Sequence, residues 1–143
     1  MGFLIDSNIL IAGERQKIDL AELMRHYRRE PIAISAITAS ELLHGIHRAQ
    51  NNLRAEQRRG FVEFILSTYE IIPFDLDAAR QHARIWAQLQ AAGTLIGAHD
   101  LMIAATALAI NYGVITLNAG EFSRVKGLAV VDVHPQAGGA DRQ

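Results

Sequence analysis

A mostly parallel α/β sheet of about five strands, covered by helices on both faces, is the fold this sequence predicts. Three observations carry that expectation. Short apolar, β-branched runs recur along the chain. Between them lie longer segments whose apolar residues follow helical spacing. The two kinds alternate throughout, and that order is most economically met by a parallel sheet with its crossovers on either face.

In chain order, Gly2 to Ile5 is a short apolar run ended at once by Asp6, which fits a buried strand with a carboxylate at its C-terminal edge. Ser7 to Ala12 reads as a short helix stopped by Gly13. Asp19 caps a second helix, with Leu20, Leu23, Met24 and Tyr27 in register, ended by Pro31. Ile32-Ala33-Ile34 is the second strand. Thr38-Ala39-Ser40-Glu41 has the capping-box pattern at the start of a third helix, followed by Leu42, Leu43, Ile46 and Ala49 as its packed side. Asn51-Asn52 is a break before a helix over Leu53 to Tyr69, and Glu70 to Phe74 is the third strand. Asp75 caps the next helix and Gly93 stops it. The alanine-rich helix His99 to Tyr112 ends at Gly113. Val114-Ile115-Thr116 and Leu128 to Val131 are the fourth and fifth strands.

The chain's 143 residues make one domain, expected over 1–134, with a polar, glycine-rich flexible tail over 135–143. Half the residues are hydrophobic, which rules out wholesale disorder. A net charge of −1 supplies no global field for nucleic acid, so any such surface is local. The absence of cysteine removes disulfide frameworks, thiolate zinc sites and cysteine nucleophiles, and suits a reducing cytoplasm. The longest apolar run, Leu101 to Ile110, is about half the roughly 20 residues a membrane span needs. A cytoplasmic domain with no membrane association is the expectation.

Three acids sit close to predicted element starts. Each has a structural explanation: Asp6 can cap the helix after it, Glu41 can close the capping box headed by Thr38, and Asp100 lies in a first turn that favours negative charge. Asp75 follows a strand in the same way and is assigned to capping alone. The apolar setting points elsewhere. Glu41 is flanked by Leu42 and Leu43, and Asp100 shares a helical face with Ile103, Ala104 and Ala107. A carboxylate in such surroundings must protonate, find a cation or cost stability. Two of them about 4 Å apart repel by roughly 4 kcal/mol at an effective dielectric near 20. A hard divalent ion resolves the conflict, and Mg²⁺ suits a few carboxylates with water and phosphate.

Leu4-Ile5-Asp6-Ser7-Asn8, Ser35 to Leu42 with Gly45, and Ile96-Gly97-Ala98-His99-Asp100 to Ala105 resemble the three signature blocks of PIN-domain nucleases. Val114 to Asn118, with Glu121-Phe122 behind, resembles the VapC branch, toxins of type II toxin–antitoxin pairs. The likeness covers nearly the whole chain. It implies a three-layer α/β/α PIN fold and a metal-dependent endoribonuclease, with Mg²⁺ (or Mn²⁺) held by Asp6, Glu41 and Asp100. A fourth acidic position falls on Asn118, a departure that weakens a second metal position unless Glu121 serves it. Thr116 and Asn8 match positions that hold the acids or the attacking water. The implied substrate is structured RNA, tRNA in particular, and the implied partners are a second copy of the chain and a VapB-like antitoxin whose C-terminal segment blocks the site.

Other readings remain beside this one. A catalytically silent RNA-binding or antitoxin-binding module is motivated by Asn118. A phosphatase with an aspartyl nucleophile usually carries a second Asp where this chain has Asn8. Glu41 and His44 form the Glu-x-x-His pair of di-iron bundles, but no matching pair exists. His44 and His47 are read as surface or substrate-side residues, and His99 as pointing away from the acids. Arg48, Arg54, Arg58 and Arg59 are either a solvated face or an arm that contacts phosphates on the way to Glu41.

Overall fold

The computed structural model describes residues 1–135. Twelve elements follow one another: β1 (Phe3–Ile5), α1 (Ser7–Glu14), α2 (Leu20–His26), β2 (Ile32–Ser35), α3 (Ala36–His47), α4 (Asn52–Thr68), β3 (Glu70–Ile72), α5 (Leu76–Ala92), α6 (Ala98–Ala109), β4 (Gly113–Thr116), α7 (Ala119–Phe122) and β5 (Val130–Asp132). The tail expected over 135–143 lies, apart from Pro135, outside the described residues.

All five strands pair in parallel in the order β3-β2-β1-β4-β5. The chain winds outward from β1 through β2 to β3, then crosses back to lay β4 and β5 on the other side. The strand order therefore reverses between β1 and β4, the place where open parallel sheets leave a crevice beyond their C-terminal ends. Alternation along the strands builds a core on each face. Leu4, Ala33 and Val114 point into one cluster with Ile85, Leu89, Ile103 and Phe122 from α5, α6 and α7. Ile5, Ile34 and Ile115 point into the other with Ile9, Leu10, Leu42, Ile46, Val62 and Ile65 from α1, α3 and α4. Leu20, Leu23 and Met24 of α2 are partly buried against this second cluster.

Local chemistry set several boundaries as expected. Asp19 and Asp75 accept hydrogen bonds from the N–H groups of Glu22 and Ala78, and Gly93 closes α5 in the left-handed region at φ 70°. Others moved for tertiary reasons. Gly13 lies inside α1, where a Cβ would stand 3.0 Å from Leu20 Cβ, so it serves the close approach of α2, and Gln16 makes the turn at φ 59°. The capping box does not form. Ser35, at the end of β2, caps α3 by accepting from the Thr38 N–H at 3.0 Å, which leaves Glu41 in the second turn with no capping duty. Asn111, at φ 57°, rather than Gly113, turns the chain after α6. Gly113 opens β4, because a Cβ there would sit 2.9 Å from both the Ala129 carbonyl oxygen and the Phe3 ring.

Gly113→Ala should destabilise the protein by about 1–3 kcal/mol, the usual cost of overpacking. The sheet must shift around a backbone oxygen that cannot rotate away. Chemical denaturation of the two chains measures the difference; equal midpoints at equal slope would show that β4 has more room than the structure gives it.

Candidate active site

The crevice between β1 and β4 is lined by the groups that follow those strands. Ile5 and Ile115 are in register, and the Asp6 N–H still donates to the Ile115 carbonyl at 2.9 Å, so Asp6 and Thr116 leave the sheet side by side. Asp6 is only 3% exposed. One of its oxygens accepts from the Ser7 N–H at 2.8 Å, the capping duty the sequence allowed, and the other accepts from the Thr116 hydroxyl at 2.7 Å. The Thr116 oxygen itself accepts from the Asn118 N–H at 2.8 Å and from the Asn8 amide at 3.3 Å. With those lone pairs engaged, its proton is committed to Asp6. Asn8 is fixed in turn, its oxygen accepting from the Leu117 N–H at 3.2 Å.

The same network reaches the other two acids. The Ser7 hydroxyl donates to Glu41 at 3.0 Å, so one residue ties the cap of α1 to the second turn of α3. The Asn118 amide donates to Asp100 at 3.0 Å and also to Glu121. Glu121 is seated by the Gly97 N–H, at 3.1 Å, on the residue that caps α6. His99, expected to point away, instead places Nδ1 3.3 Å from Glu41. It precedes Asp100 by about 100° of helical turn, and its ring reaches back across the gap between α6 and α3.

Asp6, Glu41, Asp100, Thr116, Asn118, Asn8 and Glu121 thus come together. His44 and His47 do not join them by any hydrogen bond or ion pair among the described residues. Ser7 was not singled out from the sequence, although its place directly after Asp6, at the helix start, was the available signal.

The electrostatics are one-sided. Burial pushes the Asp6 carboxyl up to about 6; the Thr116 hydrogen bond opposes this, and the neighbouring Asp100 and Glu41 add to it. Burial also raises Asp100, moderated by the Asn118 hydrogen bond and reinforced by Glu121 and Glu41. Glu121 is lowered by its hydrogen bonds from Asn118 and Gly97. Among the described residues no lysine or arginine forms an ion pair with any of these acids, and His99 is the one basic ring in contact. Nor do three acidic or histidine groups already enclose a point where a metal could sit, among the described residues. Each carboxylate is hooked back to its own donor, which is how like charges relax when nothing positive lies between them. The donor set is all oxygen, anionic and short of counter-charge, and so fits a hard divalent cation.

In metal-free solution the folded protein holds the Asp6 proton more tightly than the unfolded chain does. Stability should therefore fall as pH rises from about 4 to about 6 and stay lowered above, by on the order of 3 kcal/mol. Asp6→Asn should flatten this decline and melt higher than the parent at pH 7 but not at pH 4. Parallel melting curves for the two chains across that range would contradict the burial of a charged Asp6.

Residues 3–128 match the PIN domain family. The chain is 38% identical over 133 residues to Ribonuclease VapC1 of Rickettsia felis, spanning 93% of this chain and 97% of that protein. It is 32% identical over 130 residues to the tRNA(fMet)-specific endonuclease VapC of Salmonella typhimurium, spanning 91% and 96%. Among solved structures, VapBC2 of Rickettsia felis bound to a promoter DNA fragment superposes with a TM-score of 0.85 at 28% identity, covering 94% of this chain and all (100%) of that one. A Salmonella typhimurium VapBC bound to DNA gives a TM-score of 0.81 at 31% identity over 92% and 98% of the two chains. With the sequence match running through every strand but the last, and so through both strands that flank the crevice, this chain belongs to the PIN-domain family and, within it, to the VapC ribonucleases.

Proposed function

We propose that the chain is a divalent-metal-dependent endoribonuclease acting in the cytoplasm as the toxin of a toxin–antitoxin pair. The observation that carries this reading is the single hydrogen-bonded network joining Asp6, Glu41 and Asp100 at the sheet's switch point, with no lysine or arginine paired to any of them. Asp6, Glu41 and Asp100 would hold the ion, Mg²⁺ by preference and Mn²⁺ as a substitute. When bound, such an ion supplies Lewis-acid chemistry, activating water and offsetting the charge that builds on the phosphate.

The chain's own residues prepare the place. Thr116 fixes one oxygen of Asp6, Ser7 holds Glu41 toward the centre, and Asn118 steadies Asp100. Asn118 also draws Glu121 beside Asp100, so Glu121 takes the fourth acidic position and the amide serves as its neutral spacer. In the reaction a water oxygen bonds to phosphorus, the phosphorus bond to the leaving sugar oxygen breaks, and that oxygen takes a proton. No protein group becomes covalently attached.

Structured RNA, tRNA in particular, is the proposed substrate class, in line with the named specificity of the Salmonella relative. A homodimer inhibited by a cognate VapB-like antitoxin is the proposed assembly, in line with the VapBC complexes among its structural neighbours.

Purified chain should cleave tRNA with Mg²⁺ and lose that activity in a chelator. Asp6→Asn and Asp100→Asn should each lower cleavage at least about 100-fold, the fall that several kcal/mol of lost charge stabilisation implies. Asp100→Asn should also abolish growth arrest on expression while circular dichroism shows an intact fold. Absence of cleavage with Mg²⁺, or toxicity that persists in the folded variant, would leave a catalytically silent binding module as the better description, and cleavage that ignores the chelator would overturn the metal dependence.

A further inference from the structure

Beside the acidic crevice, two adjoining clefts run between α1, α3 and α4. The inner one is lined by Ile11, Glu14, Arg15, Glu41, Arg48 and Arg58, among others. The outer one is lined by Glu14, Arg15, Arg54, Gln57, Arg58 and Phe61. They share Glu14, Arg15, Arg58 and Phe61, so they adjoin as one path, and Glu41, a member of the carboxylate network, lines it.

The arginines along this path are set apart by their place beside the carboxylate network and not by a lack of ion pairs, which Arg28, Arg29, Arg80, Arg84 and Arg124 share among the described residues. Arg25 and Arg59 are paired on their own helices with Glu22 and Glu56. Arg15, Arg48 and Arg54 are exposed and make no ion pair among the described residues. Arg58 is held where the two clefts meet. Its Nη1 donates to the Gly45 carbonyl at 3.1 Å, and its Nε lies 3.6 Å from Glu14, buried and without a hydrogen-bond acceptor. The Glu14 carboxylate is the anion beside this buried edge, and together with the Gly45 carbonyl it fixes Arg58 in the floor of the cleft. Four arginines against Glu14 and Glu41 leave the path net positive, while the chain as a whole is at −1.

We propose that this cleft is a phosphate subsite for the RNA strand: Arg15, Arg48 and Arg54 bind backbone phosphates beside the one cleaved, over a floor fixed by Arg58. The proposal rests on the nuclease reading above and names how the substrate is held. Its physical sense is direct. A cluster of carboxylates repels a polyanion, and cations within the same groove restore attraction on one side of the reacting bond, which sets the strand's direction of approach. Arg59, turned to Glu56, takes no part, so only Arg48, Arg54 and Arg58 of the four sequence-adjacent arginines belong to the arm.

The test is fluorescence anisotropy with a labelled single-stranded RNA dodecamer, in chelator so that nothing is cut, over a salt series. Triple replacement Arg15→Gln, Arg48→Gln, Arg54→Gln should weaken binding roughly tenfold or more and lower the salt slope by about 2, at about 0.7 for each phosphate no longer neutralised on a single strand. Arg59→Gln should change neither. Unchanged affinity and slope in the triple variant would overturn the subsite, and if it still cleaved tRNA at the parental rate with Mg²⁺ the nuclease reading would stand without it. A triple variant that keeps RNA affinity but loses a polyglutamate peptide bound by the parent would assign the cleft to an acidic protein segment and overturn it too. If the parent chain neither binds the dodecamer nor cleaves tRNA with Mg²⁺, both readings fall together.

Discussion

Crowding of negative charge at one end of a parallel sheet is the constraint on which the molecule turns. β1 and β4 lie in register, so the residues that leave them, Asp6 and Thr116, must emerge together, and the helices behind bring Glu41 and Asp100 to the same crevice. Asp6 is almost wholly removed from water there. Desolvation and neighbouring acids both disfavour its charged form, and only neutral donors from Ser7 and Thr116 compensate. A fold that merely needed to be stable would place an apolar or amide side chain at that position. The arrangement makes physical sense as a place that costs stability when empty and recovers it when a cation enters.

The network also accounts for its supporting residues. Thr116 receives two N–H groups and so can only donate to Asp6, which a valine of the same shape could not do. Ser7 connects α1 to α3, and Asn118 connects α6 to α7, so four helices that the sheet alone would not fix relative to one another are tied at their ends. His99, on α6, completes the ring by touching Glu41 on α3. Beyond the ring, the arginines of α1, α3 and α4 place positive charge along the approach to it. A chain nearly neutral in sum is thereby strongly patterned where substrate would pass.

What the sequence made legible was what local chemistry decides. Asp19, Asp75 and Gly93 announce helix ends because their side-chain or backbone preferences act within a few residues. The five parallel strands followed from short β-branched runs alternating with helical periodicity. The two misread glycine stops share one cause, the approach of another segment. Gly13 is shaped by Leu20, and Gly113 by Ala129 and Phe3, so glycines that looked like stops are contact points. Thr38 and Glu41 had the spacing of a capping box, but Ser35 at the end of β2 took the cap first and freed Glu41 for the crevice. α7 was too short to show a period at all. At the site, the acids were legible through their apolar surroundings and the family likeness, whereas the reach of the Ser7 hydroxyl and of His99 to Glu41 runs across elements and left little trace in the order of residues.

The most direct trial of the central claim is a crystal of this chain soaked in Mn²⁺ and measured at the manganese absorption edge. An anomalous peak bounded by the carboxylates of Asp6, Glu41 and Asp100, with those oxygens turned inward from Ser7, His99 and Asn118, is the predicted result. Density that stays featureless in the crevice at saturating Mn²⁺, with every acid still hooked to its neutral donor, would contradict it and leave the cluster as helix-end chemistry alone.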